Sequence, residues 1–252
     1  MEIGLFAAHN VGKEIAEIFA EFNDVPTFLV LDSLDKEGLN SKIIETSGVV
    51  PERVFYSESL DKEYTLSRLR AVGCDLAILA WWPYILKRKI IQIPRVGILN
   101  THPSLLPYNR GKHYNFWTLV EDTPFGVTLH WVDEDVDVDA GDIAFQERIE
   151  KTWEDTGETL YYRAQREIVK LFQRKYVEIK RGNIPRIRQQ HKQGTFHRSG
   201  EIDNASRIEI NNSYKARDLL NILRARTFPP CPGAWFIENG ARYEIRIKIT
   251  KK

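Results

Sequence analysis

Residues Gly97 to Trp117 read GILNTHPSLLPYNRGKHYNFW. The apolar start, Gly97 to Leu99, is typical of a strand in the interior of a sheet. Asn100 and His102 follow at once, and two prolines then prevent a regular continuation of the strand. In an extended segment residues i and i+2 share a face, so the amide and the imidazole should point the same way. The stretch therefore predicts a buried strand that ends on two side chains able to grip one carbonyl group.

The residues before this stretch alternate between short apolar runs and helical patterns. Ile3 to Ala8, Phe28 to Leu31 and the run CDLAILAWW, Cys74 to Trp82, read as buried strands. Near-continuous apolar strands that alternate with helices predict an α/β fold with a mostly parallel sheet and helices on both faces. No Gly-x-Gly-x-x-Gly pattern follows the first strand, which argues against a dinucleotide site.

The pattern changes after residue 125. Phe125 to Val132 and Ile143 to Ile149 alternate like half-buried strands, and a helix is predicted over Glu158 to Lys180. A polar linker precedes a small α+β unit, with a helix over Tyr214 to Arg224 and a hairpin at Asn239-Gly240. We therefore expect a catalytic domain over residues 1–182 and, over residues 183–252, a linker with a small C-terminal subdomain.

Composition narrows the class of protein. The 252 residues carry a formal net charge of +1, and 42% are hydrophobic, which is ordinary for a globular protein and shows no global basic excess for nucleic acid. The two cysteines, Cys74 and Cys231, form no metal or redox spacing. No apolar run approaches the ~20 residues of a transmembrane helix, and the start lacks a leader pattern, so we expect a cytoplasmic protein that does not bind a membrane.

An acidic segment lies between the two later strands. LHWVDEDVDVDAGDI, residues 129–143, carries five aspartates and one glutamate. Asp139 and Gly141 can form a tight turn that brings a carboxylate to the loop after His102. A calcium loop would need a glycine at Ala140 and a glutamate at Gln146. A zinc site would need a close pair of histidines or cysteines, so no metal is expected.

Together the two motifs resemble those of the folate-dependent formyltransferases, a family that includes glycinamide ribonucleotide, methionyl-tRNA and sugar formyltransferases. The resemblance rests on ILNTHPSLLPYNRG and DAGDI and covers roughly residues 1–180. It implies a Rossmann-like sheet, 10-formyltetrahydrofolate as the formyl donor and an amine as the acceptor. In the family a strand histidine usually precedes the catalytic aspartate by seven residues, whereas His130 is seven residues before Asp137 and nine before Asp139.

The resemblance implies that Asn100, His102 and Asp139 are the catalytic residues. The Asp-x-Gly signature favours Asp139, and the histidine spacing keeps Asp137 as the alternative. Asn100 can donate to the oxygen of the formyl group as negative charge develops on it. Either His102 or Asp139 can accept the proton of the amine, and the sequence does not distinguish them.

The resemblance also indicates where the donor binds. Its pterin would lie in an apolar pocket with main-chain donors. For the tryptophan of this pocket, Trp82, the competing interpretation is that it packs in the hydrophobic core. The implied donor-binding residues are Trp82, Pro83, Tyr84, Ile85, Leu105, Val132 and Asp142.

The segment GKHYNFW and the C-terminal tail resemble sugar N-formyltransferases that act on nucleotide-linked amino sugars. We therefore expect a dTDP-linked amino-dideoxysugar acceptor, used in surface polysaccharide or O-antigen synthesis, and a homodimer. The amine position and the choice of thymine or uracil stay open. An aromatic side chain could stack on the base and arginines could bind the diphosphate. The candidate substrate-binding residues are Arg110, Lys112, Tyr114, His197, Arg198, Arg226, Phe228 and Trp235.

Three other functions compete with this hypothesis. A methionyl-tRNA formyltransferase of reduced size and a hydrolase of 10-formyltetrahydrofolate would use the same catalytic residues. A folate- or nucleotide-binding module without activity would not need them. The presence of Asn100, His102 and the Asp-x-Gly motif argues against the last of these.

Overall fold

In the computed structural model the described residues are 1–252, apart from the side chain of residue 191. The first half of the chain alternates strands and helices, as its apolar periodicity predicts. Its elements are β1 Ile3–Ala7, α1 His9–Glu21, β2 Leu29–Leu31, α2 Asn40–Ser47, β3 Val54–Tyr56, α3 Glu63–Val72, β4 Leu76–Ala80, α4 Arg88–Ile91 and β5 Gly97–His102.

The second half combines longer strands with one long helix and a smaller C-terminal part. Its elements are β6 Arg110–Gly111, α5 Tyr114–Val120, β7 Phe125–Val132, β8 Ile143–Ile149, α6 Gly157–Lys180, β9 Phe196–His197, α7 Glu201–Ala205, α8 Ala216–Ala225, β10 Ala234–Glu238 and β11 Ala241–Ile245.

A seven-stranded sheet forms the centre, in the order β3-β2-β1-β4-β5-β7-β8. The first five strands of this order pair in parallel, and β7 pairs antiparallel with β5. The carboxyl ends of the five parallel strands therefore meet at one edge, which is where open α/β sheets bind their ligands. The predicted mostly parallel sheet is confirmed.

Both faces of the sheet are covered by helices. Ala7 of β1 lies under α1, since a Cβ on Gly12 would come within 3.0 Å of the Ala7 Cβ. Phe6, which points to the opposite face because strand side chains alternate, packs in a buried cluster with Leu66 and Leu69 of α3. The arrangement agrees with the fold expected from the sequence.

By its contacts the chain divides into two compact units. The first consists of Met1–His102, Thr128–Gln146 and Arg166–Gln189, and the second of Pro103–Val127, Glu147–Gln165 and Gln190–Lys252. Both units are assembled from separated stretches of sequence. The expected division of the chain at residue 182 stays a prediction.

The C-terminal hairpin in the second unit has the expected turn. β10 and β11 pair antiparallel, and Asn239 and Gly240 between them both have positive φ, 51° and 78°. A two-residue turn with left-handed conformation at both positions matches the twist of a hairpin and is favoured by Asn-Gly. The small α+β unit predicted from the sequence is thereby confirmed.

Several strands differ from the sequence prediction: β1 and β2 are each one residue shorter, and the two-residue strands β6 and β9 were not predicted. β4 ends at Ala80 because Trp81 takes a left-handed conformation, φ 56°, so Trp82 is not part of the strand. β5 ends at His102, as predicted, and there it still pairs with Thr128 of β7. β3 was not predicted, because a three-residue strand at the sheet edge has too few residues to show a period.

Among the described residues, no helix is both long enough and apolar enough to cross a membrane.

The contact between β1 and Phe28 leads to a prediction about stability. A Cβ on Gly4 would overlap the buried Phe28 ring, with 2.6 Å to Cε1. We expect Gly4→Ala to lower the free energy of unfolding by about 1–3 kcal/mol, as is typical of an overpacked core. Urea unfolding measures the change. Gly200→Ala, where a Cβ would meet nothing within 4 Å, is the control; equal stability of both variants would contradict the prediction.

Candidate active site

Asn100 and His102 are positioned by β5, and their partner His130 is positioned by β7. The antiparallel register places Asn100 directly opposite His130. Cross-strand neighbours on one face have Cβ atoms about 4.5–5.5 Å apart, close enough for side chains to interact. The Asn100 Nδ2 atom lies 3.1 Å from His130 Nε2.

The tautomer of His130 follows from its second contact. His130 Nδ1 lies 2.9 Å from the carbonyl oxygen of Trp131, which can only accept a hydrogen bond. Nδ1 therefore carries a proton, and Nε2 accepts a hydrogen bond from the Asn100 amide. One N–H of the Asn100 amide is thus held by His130, and the carboxamide plane is fixed.

Asp139 completes the cluster. Its Oδ2 lies 3.5 Å from His102 Nδ1, and its Oδ1 lies 3.5 Å from both His130 Nε2 and Asn100 Nδ2. The side chains of His102, His130 and Asp139 are exposed by only 5%, 2% and 13%. A carboxylate, two imidazoles and an amide therefore lie together in a largely desolvated place. Asp137, the alternative to Asp139, is exposed to solvent.

The turn that carries Asp139 is held in place by its main chain. Asp139 has φ 55°, a left-handed conformation that aspartate tolerates better than most residues. Gly141 has no room for a side chain, because a Cβ would strike the carbonyl oxygen of Trp131. Buried Gln189 donates through Nε2 to the carbonyl oxygens of Asp139 and Gly141, at 2.9 and 2.6 Å. The carboxylate is thereby aimed at the two imidazoles.

The predicted donor-binding residues divide between the two units. Trp82 and Val132 pack against the same buried cluster of the first unit, and the Tyr84 ring meets that of Trp82 at 5.6 Å. The Tyr84 hydroxyl donates to buried Asp32 at 2.7 Å, and this hydrogen bond raises the pKa of Tyr84. Leu105 belongs to the second unit.

The remaining members of the donor set are not in the core. Pro83 is half-buried and Ile85 is 80% exposed. The Asp142 carbonyl oxygen accepts a hydrogen bond from Trp131 N at 2.8 Å. Trp82 is partly buried and packs edge-on against Phe6, so its position is compatible with both a core and a pocket-lining role.

The predicted substrate-binding residues all lie in the second unit, and four of them meet at one small sheet. Arg110 in β6 pairs with Phe196 in β9, and Lys112 N donates to the His197 carbonyl oxygen at 3.0 Å. The Arg198 main chain donates to the Glu201 carboxylate at 3.2 Å. The Nε atom of Arg110 has no hydrogen-bond partner among the described residues.

The His197 ring is held from three sides. It stacks on Trp117 with ring centroids 3.7 Å apart, and its Nδ1 and Nε2 lie 3.2 Å from Glu201 and 3.0 Å from Glu121. These contacts hold the imidazole inside the second unit.

The other predicted residues form two further groups. Tyr114 is buried and stacks with Tyr161, which also contacts Phe228 at 5.3 Å; burial raises the pKa of Tyr114 well above its usual value. Trp235 is buried in the C-terminal part, where its Nε1 donates to the Asp203 carbonyl oxygen at 3.1 Å.

Arg226 is half-buried, and burial lowers its pKa. Neighbouring His113, which the sequence did not suggest, also has a lowered pKa, because of burial and of the positive charge of Arg226.

His130, which entered the sequence analysis only through its spacing to the aspartates, lies in the cluster although it was not a predicted catalytic residue. Its signal was present, because Thr128 and His130 are polar at alternate positions of the otherwise apolar strand FGVTLHWV. Two polar residues on one face of a buried strand indicate a polar environment there. The sequence does not show which strand lies next to β7 in the sheet.

The fold and the cluster define an α/β enzyme-type site that can hold a carbonyl group and move a proton. Residues 7–175 match the family described as formyl transferase, and residues 201–251 match the N-formyltransferase dimerization C-terminal domain. The chain belongs to the formyl transferase family. The identification of a formyltransferase from the two sequence motifs is confirmed.

Among curated relatives, the chain is similar to the methionyl-tRNA formyltransferase of Fusobacterium nucleatum. The identity is 28% over 243 residues, which are 94% of this chain and 76% of that protein. Four further curated relatives are 30–32% identical, and the chain spans only 18–62% of their lengths.

Among solved structures, a 4-N formyltransferase from Francisella tularensis superposes with a TM-score of 0.82. It is 22% identical, and the match covers 99% of this chain and 98% of that one. An N-formyltransferase from Helicobacter canadensis, solved with folinic acid and dTDP-3-aminofucose, superposes with a TM-score of 0.67 at 16% identity, covering 95% and 85% of the two chains. These likenesses show the shared fold.

The role of Gln189 can be tested directly. We expect Gln189→Leu to free the turn of Asp139, because two buried carbonyl oxygens lose their donor. The free energy of unfolding should fall by about 1–3 kcal/mol, and amide hydrogen exchange at residues 139–142 should accelerate. Gln190→Leu, at the exposed neighbouring position, is the control. Unchanged exchange in Gln189→Leu would show that the turn does not depend on this side chain.

Proposed function

We propose that the chain transfers the formyl group of 10-formyltetrahydrofolate to the amine of a nucleotide-linked amino-dideoxysugar. The nucleotide is dTDP, the product serves surface polysaccharide synthesis such as that of O-antigen or lipopolysaccharide, and the active form is a homodimer. One observation carries the proposal: in a chain of the formyl transferase family, Asn100, His102 and Asp139 converge in one desolvated cluster.

The chemistry of transfer requires groups of these types. The amine nitrogen attacks the formyl carbon, a C–N bond forms, and negative charge develops on the formyl oxygen. Asn100, with one N–H held by His130, can donate its other N–H to that oxygen. Losing such a donor typically lowers the rate about 10²–10³-fold.

The proton of the attacking amine must leave as the intermediate forms. His102 and Asp139 lie 3.5 Å apart, so either one can take this proton and the other can stabilise the resulting charge. The proton then moves to the departing folate nitrogen as the bond between this nitrogen and the formyl carbon breaks. Atoms and charge balance without a metal or a redox group.

For the donor, we propose that the pterin binds beside Trp82 and Tyr84, with Pro83, Ile85, Leu105, Val132 and the main chain at Asp142. The aromatic pair next to a buried apolar cluster suits a flat heterocycle. The folinic acid in the Helicobacter canadensis structure supports a reduced folate as ligand.

For the acceptor, we propose that the second unit binds the nucleotide. Phe228, which is half-buried, offers a stacking surface, and buried Tyr114 supports it through Tyr161. Arg110, Lys112, Arg198 and Arg226 offer positive charge for a diphosphate. His197 and Trp235 would act by holding the surrounding elements. The dTDP-sugar in the Helicobacter canadensis structure supports this acceptor class.

The homodimer is supported by the C-terminal match. Residues 201–251 match a domain described by its role in dimerization, and the hairpin there exposes Ile237 and Tyr243 by 46% and 49%. The two side chains lie on opposite faces of the hairpin, since Tyr243 is opposite Phe236 and Ile237 is opposite Arg242, so the proposal of a dimer rests on the domain match.

A methionyl-tRNA formyltransferase is the second candidate. The similarity to the Fusobacterium nucleatum enzyme over 94% of this chain favours it. It would use the same cluster for the formyl group and differ in the surface that binds the acceptor. The composition, with a net charge of +1, does not suggest a polyanion as the partner.

Thermal unfolding in the presence of dTDP, UDP, folinic acid and initiator tRNA distinguishes these acceptors. A ligand at a hundredfold excess over its Kd stabilises the folded state by about 2.7 kcal/mol. We expect stabilisation by folinic acid and by dTDP, followed by formylation of a dTDP-amino sugar. No shift with dTDP or UDP, together with a shift and formylation with methionyl-tRNA, would replace the sugar proposal by the second candidate.

The proposed catalytic role of Asp139 can be tested against Asp137, which lies two residues away in the same segment. We expect Asp139→Asn to lower the rate of transfer at least about 10²-fold, because the carboxylate in the desolvated cluster is lost. Asp137→Asn should retain the rate, because that side chain is exposed. Asn100→Ala and His102→Ala should behave like Asp139→Asn in the transfer assay. The opposite ranking of the two aspartate variants would move the role to Asp137.

A further inference from the structure

The cluster of His102, His130 and Asp139 presents three metal-ligating atoms to one another. One imidazole nitrogen from each histidine and a carboxylate oxygen lie within 4.8 Å of each other. The two separations between carboxylate and imidazole are both 3.5 Å. A tetrahedral zinc ion with bonds of 2.0–2.2 Å holds its ligands about 3.4 Å apart. The two carboxylate–imidazole separations therefore already match this spacing, and the third lies within 4.8 Å.

The neighbouring contacts are those of a preorganised metal ligand. His130 donates through Nδ1 to the Trp131 carbonyl oxygen, which leaves the Nε2 lone pair facing the cluster. Ligating histidines in proteins commonly bind such an outer acceptor through their second nitrogen. Gln189 holds the turn of Asp139 by two hydrogen bonds to its main chain. Two of the three donor groups, those of His130 and Asp139, are therefore already oriented toward the cluster by the protein.

We propose that this cluster binds a single divalent transition-metal ion of the zinc class, and that the bound ion inhibits formyl transfer. Two imidazoles and one carboxylate, with water as a fourth ligand, form a set that zinc accepts. The ion is an inhibitor and not a cofactor. It takes the Nε2 lone pair from Asn100 and occupies the place between the amide, the imidazole and the carboxylate.

The binding of the ion stands on the geometry of the cluster alone, whereas the inhibition rests on the proposed function. An ion on His102 and Asp139 withdraws the lone pairs that would receive the proton of the amine. It also frees the Asn100 amide from His130, so the donor to the formyl oxygen loses its fixed orientation.

Isothermal titration of the chelator-treated full chain with ZnCl₂ tests the binding. We expect one site per chain. His130→Gln and Asp139→Asn should each weaken it by more than the roughly 10- to 100-fold typical of a lost outer partner, because a direct ligand is removed. Asp137→Asn, two residues from Asp139 and exposed, should bind zinc as the unchanged chain does.

Spectroscopy and activity complete the test. Titration with CoCl₂ should produce a visible absorption band of tetrahedral cobalt in the unchanged chain and in Asp137→Asn, and no such band in His130→Gln or His102→Gln. Circular dichroism identifies any variant that is unfolded. Absence of zinc binding, or equal binding by the ligand variants and the unchanged chain, would overturn the proposal.

The inhibition is measured as the rate of formyl transfer with ZnCl₂ and after addition of EDTA. Loss and recovery of the rate support it, and an unchanged rate with the cluster occupied would overturn it. If no acceptor is formylated under any condition, the proposed function fails, whereas the calorimetric and cobalt results still decide the metal site.

Discussion

The antiparallel register between β5 and β7 is the constraint on which the candidate active site depends. Each of the five parallel strands brings only the residues at its carboxyl end to this edge of the sheet. At β7 the direction reverses, and His130 in the interior of a strand comes to lie opposite Asn100. A shift of the register by one residue would turn His130 to the other face and bring an apolar neighbour to the amide. One pairing thus decides the chemistry of this edge.

The close return of the main chain after β7 explains why the acidic segment ends in a turn that only a few residues tolerate. The main chain returns from β7 so closely that Gly141 lies against the carbonyl oxygen of Trp131. Asp139 must then adopt a left-handed conformation to face the imidazoles. Of the aspartates in this segment, the one whose backbone is most restricted is the one in the cluster, while Asp137 remains in solvent. Asp139 lies in the cluster because the main chain packs closely at its turn, and the number of carboxylates in the segment does not decide this.

Much of the fold could be predicted from local patterns. The apolar run Leu76–Ala80 indicates a buried strand through its composition, and the strand is found. The Asn-Gly pair at 239–240 indicates a tight turn through its conformational preference, and the turn is found. The site was predictable where residues are neighbours in an extended segment, as Asn100 and His102 are. Contacts between distant segments were not, because the sequence does not state which strands are adjacent. The place of His130 in the cluster was not predicted for this reason, and β3 was not predicted because three residues carry no period.

The small sheet of β6 and β9 has a consequence for the order of folding. Arg110 and Gly111 pair with Phe196 and His197, and Asn109 donates from its main chain to the Thr195 hydroxyl at 2.9 Å. These segments are far apart along the chain, so closing the pair carries the entropy cost of closing a large loop. During synthesis, which proceeds from the amino terminus, Asn100, His102, His130 and Asp139 all leave the ribosome before the partner strand of Arg110 exists. The loop after β5 therefore cannot complete this pairing until residues 196 and 197 have been made, whereas the four residues of the cluster have all been made by then.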